Sequence, residues 1–99
     1  GEPAAQPAGL ELKLNYPNPF NQGTAISFAL PEAGEVDMSI HNAVGRVVRR
    51  LARGSLAAGN HRLQWDGRDE AGRPAASGLY FCRLRFHQQQ KVIKLQLLR

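Results

Sequence analysis

Apolar and polar residues alternate along most of the chain from Leu10 onward. Successive side chains of a β-strand point to opposite faces, so this period of two predicts strands with one face toward a core. The predicted inward residues are Leu10, Leu12, Leu14 and Tyr16; Ile26, Phe28 and Leu30; Val36, Met38 and Ile40; His61, Leu63 and Trp65; Tyr80, Cys82, Leu84 and Phe86; and Ile93, Leu95 and Leu97. Helical spacing does not persist beyond a turn or two, which predicts an all-β fold.

Clusters of proline, asparagine, aspartate and glycine separate these runs, at residues 17–19, 31–34 and 66–77. Proline cannot donate to a central ladder and glycine relaxes the backbone, so each cluster predicts a turn. Residues 46–52 alternate poorly because Val47 and Val48 are adjacent, and we expect this strand at a sheet edge. About seven short strands at near-regular intervals are typical of an antiparallel β-sandwich.

Two aromatic residues favour the immunoglobulin-like version of this sandwich. Tyr80 precedes Cys82 by two residues at the start of the sixth predicted strand, which is the position of a tyrosine corner. Trp65 supplies a bulky ring for the core, although it lies one strand away from the usual tryptophan position. Cys82 is the only cysteine, so we expect no disulfide within the domain.

The first nine residues, GEPAAQPAG, are rich in proline, alanine and glycine and have no apolar periodicity. This composition predicts a flexible linker over residues 1–9, which would join an upstream domain to a folded domain over residues 10–99. A chain of 99 residues can build one compact core. It has no apolar run long enough to span a bilayer, and it does not start with the basic-then-apolar order of a signal peptide.

The formal net charge of +5 comes mostly from arginine. This charge would suit anionic partners such as nucleic acid, lipid headgroups or acidic polysaccharide, and charge alone does not choose among them. The basic residues are spread over several strands with little aromatic interleaving, which favours solvated outer faces. We expect no nucleic-acid partner. We also expect the chain to be a monomer.

Residues with catalytic or metal-binding chemistry do not form a recognisable set. His41, His61 and His87 fall in separate segments without metal-ligand or base spacing. Cys82 has inward parity, where a thiol acts as a small hydrophobic group. We expect a non-catalytic domain with no cofactor and no metal.

Three carboxylates lie close together in the predicted turn, at Asp66, Asp69 and Glu70. Oxygen ligands of this kind suit calcium, but the spacing differs from that of an EF-hand loop. Aspartate side chains also cap turns by accepting hydrogen bonds from nearby amides. The neighbouring glycines favour this structural role over a calcium site at Asp66 and Asp69.

A series of motifs covers most of the chain after residue 9. The motifs are L-x-L-x-x-N-Y-P-N-P-F-N at 10–21, I-x-N-x-x-G-x-x-V at 40–48, A-G-x-H at 58–61, W-D-G-R-D-x-x-G at 65–72, S-G-x-Y at 77–80 and a K-x-x-L-L-R-like ending at 94–99. In this order they resemble the type A C-terminal sorting domain of the type IX secretion system. That domain is similar to the immunoglobulin-like domain of flagellar hook-capping proteins. The chain departs from the pattern at His41, where tyrosine is common.

The resemblance implies a module at the end of a larger secreted protein, with the cargo domain upstream. It implies recognition by outer-membrane secretion and surface-attachment machinery, and a location at the surface of a Gram-negative cell. The motif at residues 15–21 predicts a rigid, self-bonded corner anchored by Tyr16 and Phe20, because asparagine and proline both form turns.

The last strand supplies the candidate recognition residues. These are Lys94, Leu95, Leu97, Leu98 and Arg99. We expect Lys94, Leu98 and Arg99 to point away from the core. Val92 and Leu98 are apolar yet outward, which makes the strand a candidate for partner contact or strand addition.

Two other functions stay open. The first is a hook-cap-type assembly module, for which we would expect the domain inside a flagellar protein rather than at its end. The second is a carbohydrate-binding or adhesive sandwich. Sugar-binding modules present a row of exposed aromatic rings, and only Phe20 and Phe81 are predicted to be available outside the core.

Overall fold

The computed structural model describes residues 9–99, so the predicted linker lies outside the described residues except for Gly9. Seven strands follow in order: β1 Glu11–Leu12, β2 Thr24–Leu30, β3 Gly34–Asn42, β4 Val47–Leu56, β5 Gly59–Trp65, β6 Gly78–Phe86 and β7 Gln89–Leu97. They form a three-stranded sheet, β1-β2-β5, and a four-stranded sheet, β4-β3-β6-β7, and every strand pair is antiparallel. The predicted all-β sandwich is confirmed. No helix within residues 9–99 is long and apolar enough to cross a membrane.

The inward faces of the two sheets enclose one hydrophobic core. Its fully buried members include Ile26, Leu30, Met38, Ile40, Trp65, Cys82, Leu84, Leu95 and Leu97. Leu63 and Ile93 are partly buried and pack against this cluster. The inward faces predicted for β2, β3, β6 and β7 are therefore confirmed.

Strand β2 is buried on both faces, whereas its alternation predicted one buried face. Ala25 and Ala29, on the face opposite the core, are also buried. β2 is the central strand of its sheet, between β1 and β5. Alanine methyl groups extend little beyond the backbone, so longer side chains on the flanking strands can shield them from solvent.

The predicted edge position of the fourth strand is confirmed, since β4 ends the four-stranded sheet. The pairing of β3 with β4 shifts register at two places, and the shifts leave Leu51 and Val48 without partners on β3. Each extra residue reverses the facing of the strand beyond it. The two bulges explain why the valines at 47 and 48 break the alternation.

The first strand ends earlier than predicted, and the inward facing of Leu14 and Tyr16 is wrong. β1 stops at Leu12, and the side chains of Leu14 and Tyr16 are 79% and 80% exposed. Asn15 is buried instead and directs its amide to the Thr24 hydroxyl at 3.0 Å. The facing reverses because this polar side chain has a partner inside the fold.

The prediction that Phe20 is available outside the core is also wrong. Phe20 is 3% exposed, and its ring packs edge to face against Trp65 with centroids 5.5 Å apart. Phe81 is partly exposed on the outward face of β6. The burial of Phe20 removes one of the two aromatic residues on which the sugar-binding alternative depended.

Candidate recognition site

The corner formed by residues 15–21 is held by its own polar groups. The Asn15 amide donates to the Thr24 hydroxyl and, at 3.3 Å, to the carbonyl of Pro17. The Thr24 hydroxyl donates to the same carbonyl at 2.8 Å. The peptide bonds before Pro17 and Pro19 are both cis. The predicted self-bonded corner is confirmed, with Phe20 rather than Tyr16 as its buried anchor.

This corner pairs with the end of β7. The amide of Phe20 donates to the carbonyl of Gln96 at 3.0 Å, and the amide of Leu98 donates to the carbonyl of Phe20 at 2.8 Å. The side-chain oxygen of Asn18 accepts from the amide of Gln96 at 3.0 Å. Periodicity describes one strand and carries no signal about a partner far away in the chain, so this pairing was not predicted from the sequence.

Arg99 joins two loops at the same end of the sandwich, the corner that ends at Asn21 and the loop at residues 66–77. Its Nε donates to the carbonyl of Ala75 at 2.7 Å, its Nη2 to Gly67 at 2.6 Å and its Nη1 to Asn21 at 3.4 Å. Its backbone amide donates to the Ser77 hydroxyl at 2.8 Å. A guanidinium carries five N–H donors in a fixed plane, so one side chain can serve several carbonyls. Arg99 was expected to point away from the core. It is exposed, and its donors bond to these two loops.

Carboxylates of the loop at residues 66–77 bond to neighbouring amides, as expected for turn capping. Asp66 accepts from the amide of Arg68 at 3.0 Å, and Asp69 accepts from the amides of Ala71 and Arg73 at 2.9 Å each. The bond from the Arg73 amide, together with the Arg73 charge and the Ala71 amide, lowers the pKa of Asp69. Among residues 9–99, no three acidic, histidine or cysteine side chains are grouped to hold a metal ion.

The predicted tyrosine corner is present. The Tyr80 hydroxyl donates to the carbonyl of Ala76 at 2.6 Å, and its ring packs edge to face against Trp65 with centroids 5.3 Å apart. Burial raises the pKa of this hydroxyl. The indole nitrogen of Trp65 donates to the carbonyl of Arg68 at 3.0 Å. Both rings therefore fasten the loop at residues 66–77 to the core.

The sequence profile of the FlgD Ig-like domain matches residues 14–87, which is well over half of the chain. The chain belongs to the FlgD Ig-like domain family. The fold of this family is a structural one without enzymatic activity. The comparison with curated proteins found no match.

Three solved structures share the fold of this FlgD Ig-like domain. FlgD from P. aeruginosa is 29% identical with a TM-score of 0.60, and the match covers 75% of this chain and 57% of that one. PorZ, an essential surface component of the type IX secretion system of Porphyromonas gingivalis, is 22% identical with a TM-score of 0.62 over 87% of this chain and 11% of that one. Dimeric latent PorU from the same organism is 16% identical with a TM-score of 0.73 over 96% of this chain and 10% of that one. The chain spans only part of each of these proteins.

This domain presents only some of the predicted recognition residues to solvent. Leu95 and Leu97 are fully buried in the core, whereas Arg99 is exposed although its guanidinium is bonded to loops. Lys94 is exposed, and Leu98 is 49% exposed. A partner that meets the folded domain can therefore touch Lys94 and Leu98, but not Leu95 or Leu97.

Residues with reactive side chains are engaged in the fold of this FlgD Ig-like domain. Cys82 is fully buried, and burial raises the pKa of its thiol to about 12. The three histidines bond to separate neighbours: His41 to the Ser39 hydroxyl at 2.8 Å, His61 to the carbonyl of Ala57 at 2.7 Å and His87 to Glu32 at 3.3 Å. These contacts are structural and do not bring the histidines together.

Proposed function

We propose that this chain is a sorting and surface-attachment module of a larger secreted protein, and that type IX secretion machinery at the outer membrane recognises it in its folded form. The observation that carries the proposal is the convergence of distant motifs on Arg99. The corner motif contributes the carbonyl of Asn21, the motif at 65–72 contributes the carbonyl of Gly67, and the motif at 77–80 contributes the Ser77 hydroxyl.

This convergence gives three of the motifs and the ending a common structural role. The motifs at 10–21, 65–72 and 77–80 place polar groups or rings at one end of the sandwich, and the ending at 94–99 closes that end. The motif at 58–61 lies at the opposite end of β5. A receptor that reads this end would detect a shape that exists only after folding. The burial of Leu95 and Leu97 also supports recognition of the folded domain, because a receptor cannot contact these side chains as part of an extended tail while the domain is folded.

The structural comparisons support an association with secretion at the level of the fold. PorZ is a surface component of the type IX system, and part of it has the fold of this chain. On this basis we expect the protein that contains this chain to be located at the cell surface.

The test is delivery of a fluorescent cargo fused upstream of the chain and supplied with an export signal. In a cell with an active type IX system we expect cargo at the surface, and in a matched cell without that system we expect none. Replacing Lys94 and Leu98 together by alanine should reduce delivery, because these exposed side chains belong to the proposed recognition surface. Arg62→Ala on the other sheet is the matched control and should leave delivery unchanged. Thermal melts of each purified variant separate lost recognition from lost folding.

A second candidate function is an assembly module of the hook-cap type. The family match and the 29% identity to FlgD from P. aeruginosa favour it. Cargo that stays in the periplasm although the domain is folded would refute sorting and support this second function.

A further inference from the structure

The outer edge of β7 is only partly covered. β7 ends the four-stranded sheet and pairs with β6 along its full length. On the other edge the corner bonds to the backbone groups of Gln96 and Leu98. Outward backbone groups recur every second residue of an edge strand, so the N–H and C=O groups of Val92 and Lys94 also point outward. Within residues 9–99, no loop or side chain bonds to them.

On β7 itself the side chains beside this edge are apolar and basic, whereas β1 of the other sheet, which carries Glu11, approaches the same strand. Val92 is 50% exposed and Lys94 is exposed. Their neighbours across the ladder are Arg83 and Phe81, respectively. None of residues 71–99 is acidic, so the β6–β7 hairpin carries only positive charges. Charge complementarity therefore favours an acidic partner.

We propose that the outer edge of β7 at Val92 and Lys94 binds an extended acidic segment of a partner protein by strand addition. The segment would accept and donate the free backbone hydrogen bonds, with an apolar side chain opposite Val92 and a carboxylate opposite Lys94. The corner already pairs with the adjacent part of this edge through Phe20. The identity of the partner as secretion machinery rests on the proposed function, whereas the binding itself does not.

A second copy of this chain fits the edge less well. Two β7 edges side by side would bring Lys91 and Lys94 of both copies onto one short ladder. Like charges on neighbouring strands destabilise the pairing, and lysine on an edge strand commonly prevents self-association. The same lysines would attract carboxylates, so one arrangement of charge both discourages dimers and selects an acidic segment.

A synthetic peptide with the core Glu-Val-Val-Glu tests the proposal. This core is palindromic, so either strand direction places apolar groups at Val92 and Ile93 and carboxylates at Lys91 and Lys94. In nuclear magnetic resonance titrations we expect the amides of Val92 and Lys94 to shift and to gain protection from hydrogen exchange. A peptide with the core Lys-Val-Val-Lys is the matched control and should not bind.

Three variants separate strand addition from general charge attraction. Val92→Pro removes an outward N–H without removing a bond to β6, and it should abolish peptide binding in a folded domain. Lys94→Glu should weaken binding of the acidic peptide by about tenfold or more. Arg62→Glu, on β5 of the other sheet, makes the same charge change and should weaken binding much less.

Several results would overturn the proposal. Strand addition of a peptide would be refuted if the acidic peptide did not bind at millimolar concentration or if Val92→Pro left its binding intact. Complete displacement of the peptide by phosphatidylglycerol vesicles would identify a lipid surface as the ligand instead. A free chain that sediments as a dimer, and as a monomer after Val92→Pro, would identify a second copy as the occupant of the edge. The export assay remains a separate measurement. Peptide binding by a chain that delivers no cargo would remove the sorting role and keep the edge site. Delivery of cargo by an unchanged chain that binds no peptide would keep the sorting role and remove the edge site.

Discussion

Two buried aromatic rings, those of Trp65 and Tyr80, each direct a polar atom toward the loop at residues 66–77. The indole N–H reaches the carbonyl of Arg68 and the phenol O–H reaches the carbonyl of Ala76. A large ring with one polar atom can fill a core and still satisfy a loop carbonyl. At the scale of single residues, these two side chains therefore determine both the packing of the core and the position of the loop.

Trp65 is fully buried, so truncation of its side chain should destabilise the domain strongly. Trp65→Ala should lower the free energy of unfolding by about 3–5 kcal/mol, because it leaves a cavity between Phe20 and Tyr80. Trp65→Phe keeps a ring there and loses the hydrogen bond to Arg68, so it should cost clearly less. Urea denaturation followed by far-ultraviolet circular dichroism measures both. Equal losses in the two variants would show that the ring contacts contribute little.

The corner at residues 15–21 is stabilised by buried polar atoms that are hydrogen-bonded to one another. Asn15 and Thr24 are both buried, and the Thr24 hydroxyl is at once acceptor for Asn15 and donor to Pro17. A buried polar group that loses its partner retains the cost of its lost hydration. The pair should therefore contribute to stability only while both members are present.

A double-mutant cycle tests this dependence. Thr24→Val alone should cost about 1–3 kcal/mol of unfolding free energy, since the Asn15 amide loses a partner. Combined with Asn15→Ala, the loss should fall short of the sum of the single losses by about 0.5 kcal/mol or more. Chemical denaturation of the four proteins provides the numbers. Thr24→Ser keeps the hydroxyl and should keep the coupling, and strictly additive losses would contradict the interpretation.

The strands were more predictable than the corner for a physical reason. β3 and β6 keep a strict period of two because each has one face on the core. In β4 the adjacent valines break the alternation where the strand has a bulge. The facing of Leu14 and Tyr16 depended instead on a hydrogen bond from Asn15 to Thr24, which no period encodes. The contacts of Arg99 join parts of the chain that are distant in sequence, so residue types alone could not place them.

At the scale of the whole molecule, one end of the sandwich connects the two sheets. The corner leads from β1 into β2 of the three-stranded sheet and pairs with β7 of the four-stranded sheet. Arg99, just beyond β7, bonds to Gly67 in the loop that follows β5. Because both connections cross between sheets, the sheets should lose their structure together rather than one after the other.

Replacement of Arg99 tests this cooperative link. Arg99→Ala removes donors to Gly67, Ala75 and Asn21, and we expect a loss of about 1–3 kcal/mol of unfolding free energy. Arg99→Lys should restore little of it, since one ammonium cannot match the spacing of three carbonyls. Lys94→Ala, at an exposed position of the same end, should stay within about 0.5 kcal/mol of the original chain. In the unchanged chain, tryptophan fluorescence and circular dichroism should follow one urea transition. Separate transitions would mean that the sheets unfold independently, and an Arg99→Ala chain of full stability would mean that these contacts do not hold them together.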